Sequence, residues 1–331
     1  MNERERVICA IKHEKTDIIP YNIQFTVEER KIMADFYGDA GFEAKIGNHI
    51  DFIDIRPPKT EIKPGFVRDE FGVVLNKTID KDFGLVEEYL VDAQSVDSFK
   101  FPDPDDPSFF EGLRAYNPCG KFFVAKFSHV FFERAWMLYG MENLMADMLL
   151  RPDTVHRLLD RILEHFLALL ENIRTFDFVD CVYFGDDWGQ QRGLIMGPGM
   201  WREFIKPRLK ILFGRAKEME KYVYIHTCGD IVSILPEIIE VGVDIYDPFQ
   251  PEAFDVFELK KQFGKEITFL GGVSLQKVLP FGSVMDVRNE VNLKLKELGQ
   301  GGGYICAPSH TVTKDVPPEN LDEMIRVLMN Q

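Results

Sequence analysis

The sequence predicts an α/β fold, a single (β/α)8 TIM barrel spanning residues 1–331. Three observations point there. Eight short apolar segments of strand length recur along the chain, helical-period segments separate most of them, and chemically active residues gather just where the apolar segments end. At 331 residues and 45% apolar composition, the chain suits one barrel with an insertion and a large core.

The strand segments are 18–24, 50–55, 122–127, 179–185, 222–227, 244–247, 267–272 and 304–308. Helical spacing occupies 134–150, 153–175, 200–220, 231–241 and 284–298, so strand and helix alternate and the strands pair in parallel. Asp153 is placed to N-cap the second of these helices, and Pro198 with Glu203 marks the start of the third. Residues 57–106 break the rhythm. Alternating residues at 66–74 and the Pro/Asp-rich run 101–107 read as an inserted hairpin or cover over one mouth, followed by a linker. Gly271-Gly272 and Gly301-Gly302-Gly303 lack phosphate-loop spacing and read as tight turns.

Composition excludes several functions. A net charge of −15 with no clustered Lys or Arg argues against a nucleic-acid surface. No apolar run reaches the ~18 residues that cross a bilayer, so no membrane span is expected. Five scattered cysteines, odd in number and without a signal peptide, suit free or metal-bound thiols in a reducing cytoplasm.

The most specific chemistry lies at 222–230. On a strand with period two, His226 and Cys228 point to one side, and Gly229 permits a sharp turn after them. Imidazole nitrogen and thiolate sulfur are half of a zinc site; a His-x-Cys pair is also a short and common pattern. Either Cys306 or His310, on the last strand segment, can supply the third ligand and leave a fourth position open. Asp186 and Asp187 follow another strand end. They can orient a ligand, bind substrate or act as acid; equally, one can cap a turn while the other faces solvent. Trp188, Gln190, Tyr246 and Asp247 are candidate substrate contacts, and His129 and Glu133 can face the same mouth. Phe25, Phe127, Phe131, Phe132, Phe184 and Phe249 lie near strand ends, mostly as core, a few as walls of an apolar pocket for an aromatic methoxy compound.

Several of these runs, in order, resemble the uroporphyrinogen decarboxylase superfamily. They are 186–191 (Asp-Asp-Trp-Gly-Gln-Gln), 197–207 from Gly-Pro-Gly-Met-Trp to Lys-Pro, 226–230 (His-Thr-Cys-Gly-Asp), Ala307-Pro308-Ser309-His310 and 315–320, with the opening 4–12. The resemblance implies a (β/α)8 barrel. True decarboxylases of the superfamily carry an Arg-rich segment after the first strand, where this chain has Tyr21-Asn22-Ile23-Gln24-Phe25-Thr26-Val27, so decarboxylation is disfavoured. The other branch implies zinc-dependent methyltransferases that work with a corrinoid (cobalamin) carried by a partner protein. There His226 and Cys228 match the first two zinc ligands, and alignment on Pro308 puts His310 where that branch has Cys, with Cys306 as rival. An imidazole in place of a thiolate leaves the metal a stronger Lewis acid. That suits removal of a methyl group from a methoxylated small molecule, aromatic or not, to Co(I), the activity of an O-demethylase component. The alternatives are transfer from methyl-corrinoid to a thiol of coenzyme M type, a decarboxylase-type lyase, and a non-catalytic barrel that binds a small molecule or docks a corrinoid protein.

Overall fold

The computed structural model describes residues 1–79, 81 and 84–331; the rest of the expected insert, residues 80, 82 and 83, lies outside the described residues. The strands in chain order are β1 (Ile50–Asp54), β2 (Thr60–Lys63), β3 (Phe66–Arg68), β4 (Val74–Asn76), β5 (Leu85–Val86), β6 (Phe122–Phe127), β7 (Cys181–Gly185), β8 (Gly189–Gln190), β9 (Gly193–Leu194), β10 (Tyr222–His226), β11 (Ile245–Phe249), β12 (Thr268–Val273) and β13 (Tyr304–Pro308). Seven of them form one parallel sheet, in the order β1-β6-β7-β10-β11-β12-β13. The sheet is curled. Ile50 on one edge and Ile305 and Ala307 on the other share a buried cluster with Val124, Tyr224 and Leu270, which a flat sheet would hold apart. Outside it, the sheet packs its other face on helices such as Pro152–Ile173, whose apolar face buries eleven residues, and Val284–Leu298.

The expected eighth strand, 18–24, is not a regular strand. Its ladder reduces to isolated bridges, Tyr21 with Cys306 and Phe25 with Val312. The physical reason is visible in the donors. Pro20 has no N–H to give, and on the other side the Asn48 side chain takes over, accepting from Ile23 N at 2.9 Å and donating to Ile23 O at 2.8 Å. The segment still bonds both edges of the sheet, through Asn22 N to Cys306 O at 3.0 Å and His49 N to Tyr21 O at 3.1 Å.

Other elements depart from expectation for local reasons. The helix expected at 134–150 is two helices, Phe132–Tyr139 and Met141–Leu150, broken at Gly140 with φ 86°. Asp153 sits inside the first turn of its helix, behind Pro152, instead of capping it. The helix opened by Pro198 passes through a π-helical turn, Trp201–Ile205, before running on to Glu218. Gly301, Gly302 and Gly303 all have positive φ and turn the chain into β13. Gly271-Gly272 is no turn; it lies within β12, where a Cβ at Gly271 would stand 2.8 Å from Phe249 N. The insert is more than a hairpin, a four-stranded antiparallel sheet in the order β2-β3-β4-β5. Among the described residues, no helix is long and apolar enough to cross a membrane.

Candidate metal centre and its cavity

The pleat of β10 builds the site. Tyr222 and Tyr224 point into the curled sheet, and the next residue in that file is His226, at the carboxyl end of the strand. Its neighbour across β11 is Asp247, whose Oδ2 lies 2.6 Å from His226 Nδ1. With Nδ1 engaged, Nε2 faces the Cys228 sulfur at 3.5 Å. Gly229 (φ 82°) then turns the chain so tightly that a Cβ there would meet Gln190 N at 2.4 Å. The turn is fixed from two sides: Cys228 N donates to Asp187 Oδ1 at 2.8 Å, and Gly229 N to Gln250 Oε1 at 2.8 Å.

His310, two residues beyond β13, meets His226 edge to face with ring centroids 5.3 Å apart. The ligand atoms of His226, Cys228 and His310 all lie within 4.8 Å of one another. Donors sharing a tetrahedral zinc stand roughly 3.5 Å apart, given bonds of about 2.0–2.3 Å, so the set needs only a small contraction to fit. Protonation favours the same use. Burial and the neighbouring His226 hold the His310 imidazole below its ordinary range, so it is neutral and offers a lone pair. Burial opposes a charge on His226, but Cys228 and Asp247 outweigh it and hold that proton well above the usual range. Burial raises the Cys228 thiol against the pull of His226. A cation would displace both protons.

The other candidates fall into distinct places. Cys306 is fully buried in β13, its thiol pushed up to about 12 by burial, and it is outside the three-residue group. Asp186 is buried and accepts from Phe132 N (2.9 Å), Glu133 N (2.8 Å) and Trp188 Nε1 (2.6 Å), which makes it the cap of the Phe132–Tyr139 helix. Trp188 is buried against Trp201. Tyr246 is buried beside Phe269 and Phe254, and Gln190 is exposed on the β8–β9 hairpin. Phe25, Phe127, Phe131, Phe132, Phe184 and Phe249 all belong to the buried core. Asp187 and Asp247 line the cavity beside His226, Cys228 and His310.

That cavity, about 560 Å³, opens over the three ligands. Its opposite wall was not foreseen from sequence. Arg56 beyond β1, Lys59 and Lys77 from the insert, and Lys126 near the end of β6 converge there, with Tyr183 between Lys126 and His226. A lysine inside the apolar run Phe122–Phe127 was the one sequence signal available. His129 and Glu133 also line it, Nδ1 to Oε1 at 3.3 Å, and His129 holds a positive φ of 57°.

The chain is 23% identical, over 195 residues, to a methylated-thiol–coenzyme M methyltransferase of Methanosarcina mazei, an alignment covering 59% of this chain and half of that protein's length. A solved structure described as a methyltransferase from Methanosarcina mazei superposes with a TM-score of 0.74 at 18% identity, covering 99% of this chain and 98% of the other; it shares the fold. The uroporphyrinogen decarboxylase (URO-D) family model matches residues 77–330, and the chain therefore belongs to that family.

Proposed function

We propose that the chain is a zinc-dependent methyltransferase that exchanges a methyl group between a small molecule in the cavity and the cobalt of a corrinoid carried by a partner protein. The observation that carries this reading is the convergence of His226, Cys228 and His310 at the floor of an open cavity. Bound there, zinc would supply a Lewis acid with one position free for a sulfur or oxygen of the substrate. The chain's own residues do the rest. Asp247 fixes the His226 ring with Nε2 toward the metal position, and Asp187 pins the Cys228 turn. The cavity leaves room for a small molecule, and the corrinoid would approach over the same mouth, where strand ends meet solvent.

The reacting heteroatom is proposed as sulfur, a thiol or thioether, because the curated relative acts on methylated thiols and coenzyme M. Demethylation of a methoxy compound is the second reading. It is favoured by one feature of the set, an imidazole from His310 where a second thiolate would add a negative charge, which would leave a bound metal less shielded. In both readings residues 1–331 act as one domain, with segment 20–26 serving as the barrel's irregular eighth stave and the insert as its roof.

Elemental analysis of the purified protein tests the reading. The expected result is one zinc per chain, lost in Cys228→Ala and in His310→Ala. Metal-free wild type, from a preparation never exposed to chelator, would overturn it.

A further inference from the structure

The curled sheet is not closed by hydrogen bonds on one side. Segment 20–26 is laddered to β13 and its exit, through Cys306 N to Pro20 O (2.8 Å), Asn22 N to Cys306 O (3.0 Å), Val312 N to Gln24 O (2.8 Å) and Thr26 N to Val312 O (2.9 Å). Toward β1 the bonding stops early. His49 N meets Tyr21 O and the Asn48 side chain holds Ile23; beyond them, among the described residues, no hydrogen bond joins residues 24–26 to β1. Backbone N–H and C=O groups along such a seam need other partners.

A second cavity, of about 380 Å³, lies in this seam. Its walls show that it passes through the sheet. Ile50, Asp51 and Phe52, consecutive on β1, all line it, although the side chains of a strand alternate between faces. Ile50 and Phe52 pack in the cluster inside the curled sheet, whereas Asp51 bonds Tyr116 (2.9 Å) and Lys121 (3.2 Å) on the outside. A space that touches both faces of one strand crosses that strand's free edge. At its outer end, Lys121 pairs with Asp51 and Arg30 with Glu43, so these four rim charges cancel. At its inner end stand Asn22 and Gln24, and the same two residues line the cavity over His226, Cys228 and His310. The two spaces thus meet across two amide side chains. Asn22 is 3% exposed and its Oδ1 has no hydrogen-bond partner among the described residues, an acceptor that water in the seam would satisfy.

We propose that the seam is a lateral water port, a file of water that enters between residues 22–25 and β1, bonds Asn22 Oδ1, and joins the inner cavity to solvent without passing the mouth. Its use follows from that of the mouth. A partner protein seated over the strand ends would close the direct exit, while a thiol bound as thiolate breaks its S–H bond, keeps the electron pair on sulfur and gives the proton to water. The port carries that proton, with the water a substrate displaces, out to the Asp51 rim. Only this use rests on the methyl-transfer reading; the port itself rests on the seam.

Amide hydrogen exchange on the whole chain, with a crystal structure that resolves water, tests it. His49 O and Ile55 N bond β6, so Phe52 turns its N–H to the free edge of β1, and Phe25 faces the seam as Ile23 does. These two amides are expected to exchange at least about a hundredfold faster than those of Val124 and Tyr224 within the sheet. Ala44 is exposed at the outer rim, and Ala44→Trp, which fills that rim, should slow Phe25 and Phe52 about tenfold while the sheet amides stay unchanged. The crystal should show ordered water from the Lys121–Asp51 pair past Asn22 Oδ1. Exchange as slow as in the sheet, or no water at Asn22, would overturn the port; so would fast exchange that Ala44→Trp leaves untouched. A hydrated seam in a protein that transfers no methyl group would keep the port and defeat the methyl-transfer reading, and a dry seam in an active enzyme would do the reverse.

Discussion

The two walls of the cavity are built on different principles. The wall proposed to hold the metal comes from strand ends: His226 from β10, Asp247 from β11 and His310 just past β13, held in register by the sheet and cross-linked by hydrogen bonds of 2.6–2.8 Å. The cationic wall comes mostly from outside the sheet, Arg56 after β1, Lys59 and Lys77 on the insert, with only Lys126 on a strand. A wall fixed by strand pairing can hold a geometry to the tolerance a metal needs. A wall of long side chains on irregular backbone is suited to recognising charge, which acts over several ångströms and forgives small displacement.

Breaking the metal wall should give the largest effects. Cys228→Ala removes the one sulfur of the proposed ligand set, and zinc affinity is expected to fall roughly a hundredfold or more, read by competition with a chromogenic chelator. A variant that keeps its zinc would show that the sulfur is no ligand. Asp247→Asn tests the layer behind. The amide can still meet His226 Nδ1 but no longer offers a charge, so metal affinity or turnover should drop about 10- to 100-fold with the fold intact by circular dichroism.

The cationic wall should answer to salt where the metal wall does not. Raising ionic strength from about 0.05 to 0.5 M shortens the screening length severalfold. Binding of an acidic probe should weaken about two- to fivefold, measured by calorimetry, with zinc content unchanged. A salt-insensitive acid would sink the contrast drawn between the walls.

The same division explains what could be seen in the sequence. Strand periodicity put His226 and Cys228 on one side; β10 ends at His226, and it is the turn after it, held by Asp187 and Gln250, that brings the Cys228 sulfur to 3.5 Å from His226 Nε2. His310 was reachable because it follows β13 closely. Asp186 and Asp187 could not be told apart as adjacent residues, since their roles depend on which way the turn after β7 faces: one caps the Phe132–Tyr139 helix, the other reaches the Cys228 amide. Tyr246 and Trp188 were candidate pocket walls because aromatic residues at strand ends look alike whether they face a cavity or the helices outside; both are buried. The cationic wall was invisible for a stronger reason. Arg56 and Lys126 lie seventy positions apart and meet through the pairing of β1 with β6, while Lys59 and Lys77 join them through the fold of the insert, contacts that no local pattern encodes.

A smaller effect lies away from both walls. Glu29, on the Val27–Tyr37 helix, is fully buried, among the described residues neither carboxylate oxygen has a hydrogen-bond partner, and burial, with the charge of Asp315, raises its pKa to about 7. The folded state therefore keeps this proton to a higher pH than the unfolded chain does. Stability should fall as pH rises from about 4.5 through about 7, by no more than roughly 3 kcal/mol, and Glu29→Gln should flatten that slope in denaturant titrations. An unchanged slope would mean the carboxylate finds a partner in solution.

The smallest expected effect decides most about the metal wall. Cys306 is a thiol at the end of the last strand, within the stretch where a third ligand belongs, and by residue type it is the better match to a sulfur-rich zinc site than His310. Its placement argues otherwise. On β13 it alternates with Ile305 and Ala307, which point into the curled sheet, so its side chain points out toward the helices, where it is fully buried and its thiol is pushed up to about 12. A thiol on that face cannot turn to the cavity without reversing the strand's register. Cys306→Ala should thus leave zinc stoichiometry untouched and cost only about 1 kcal/mol in unfolding free energy, from the lost packing of one small side chain. Loss of zinc in this variant, with His310→Ala retaining it, would move the third ligand to the sulfur and require the end of β13 to be turned over.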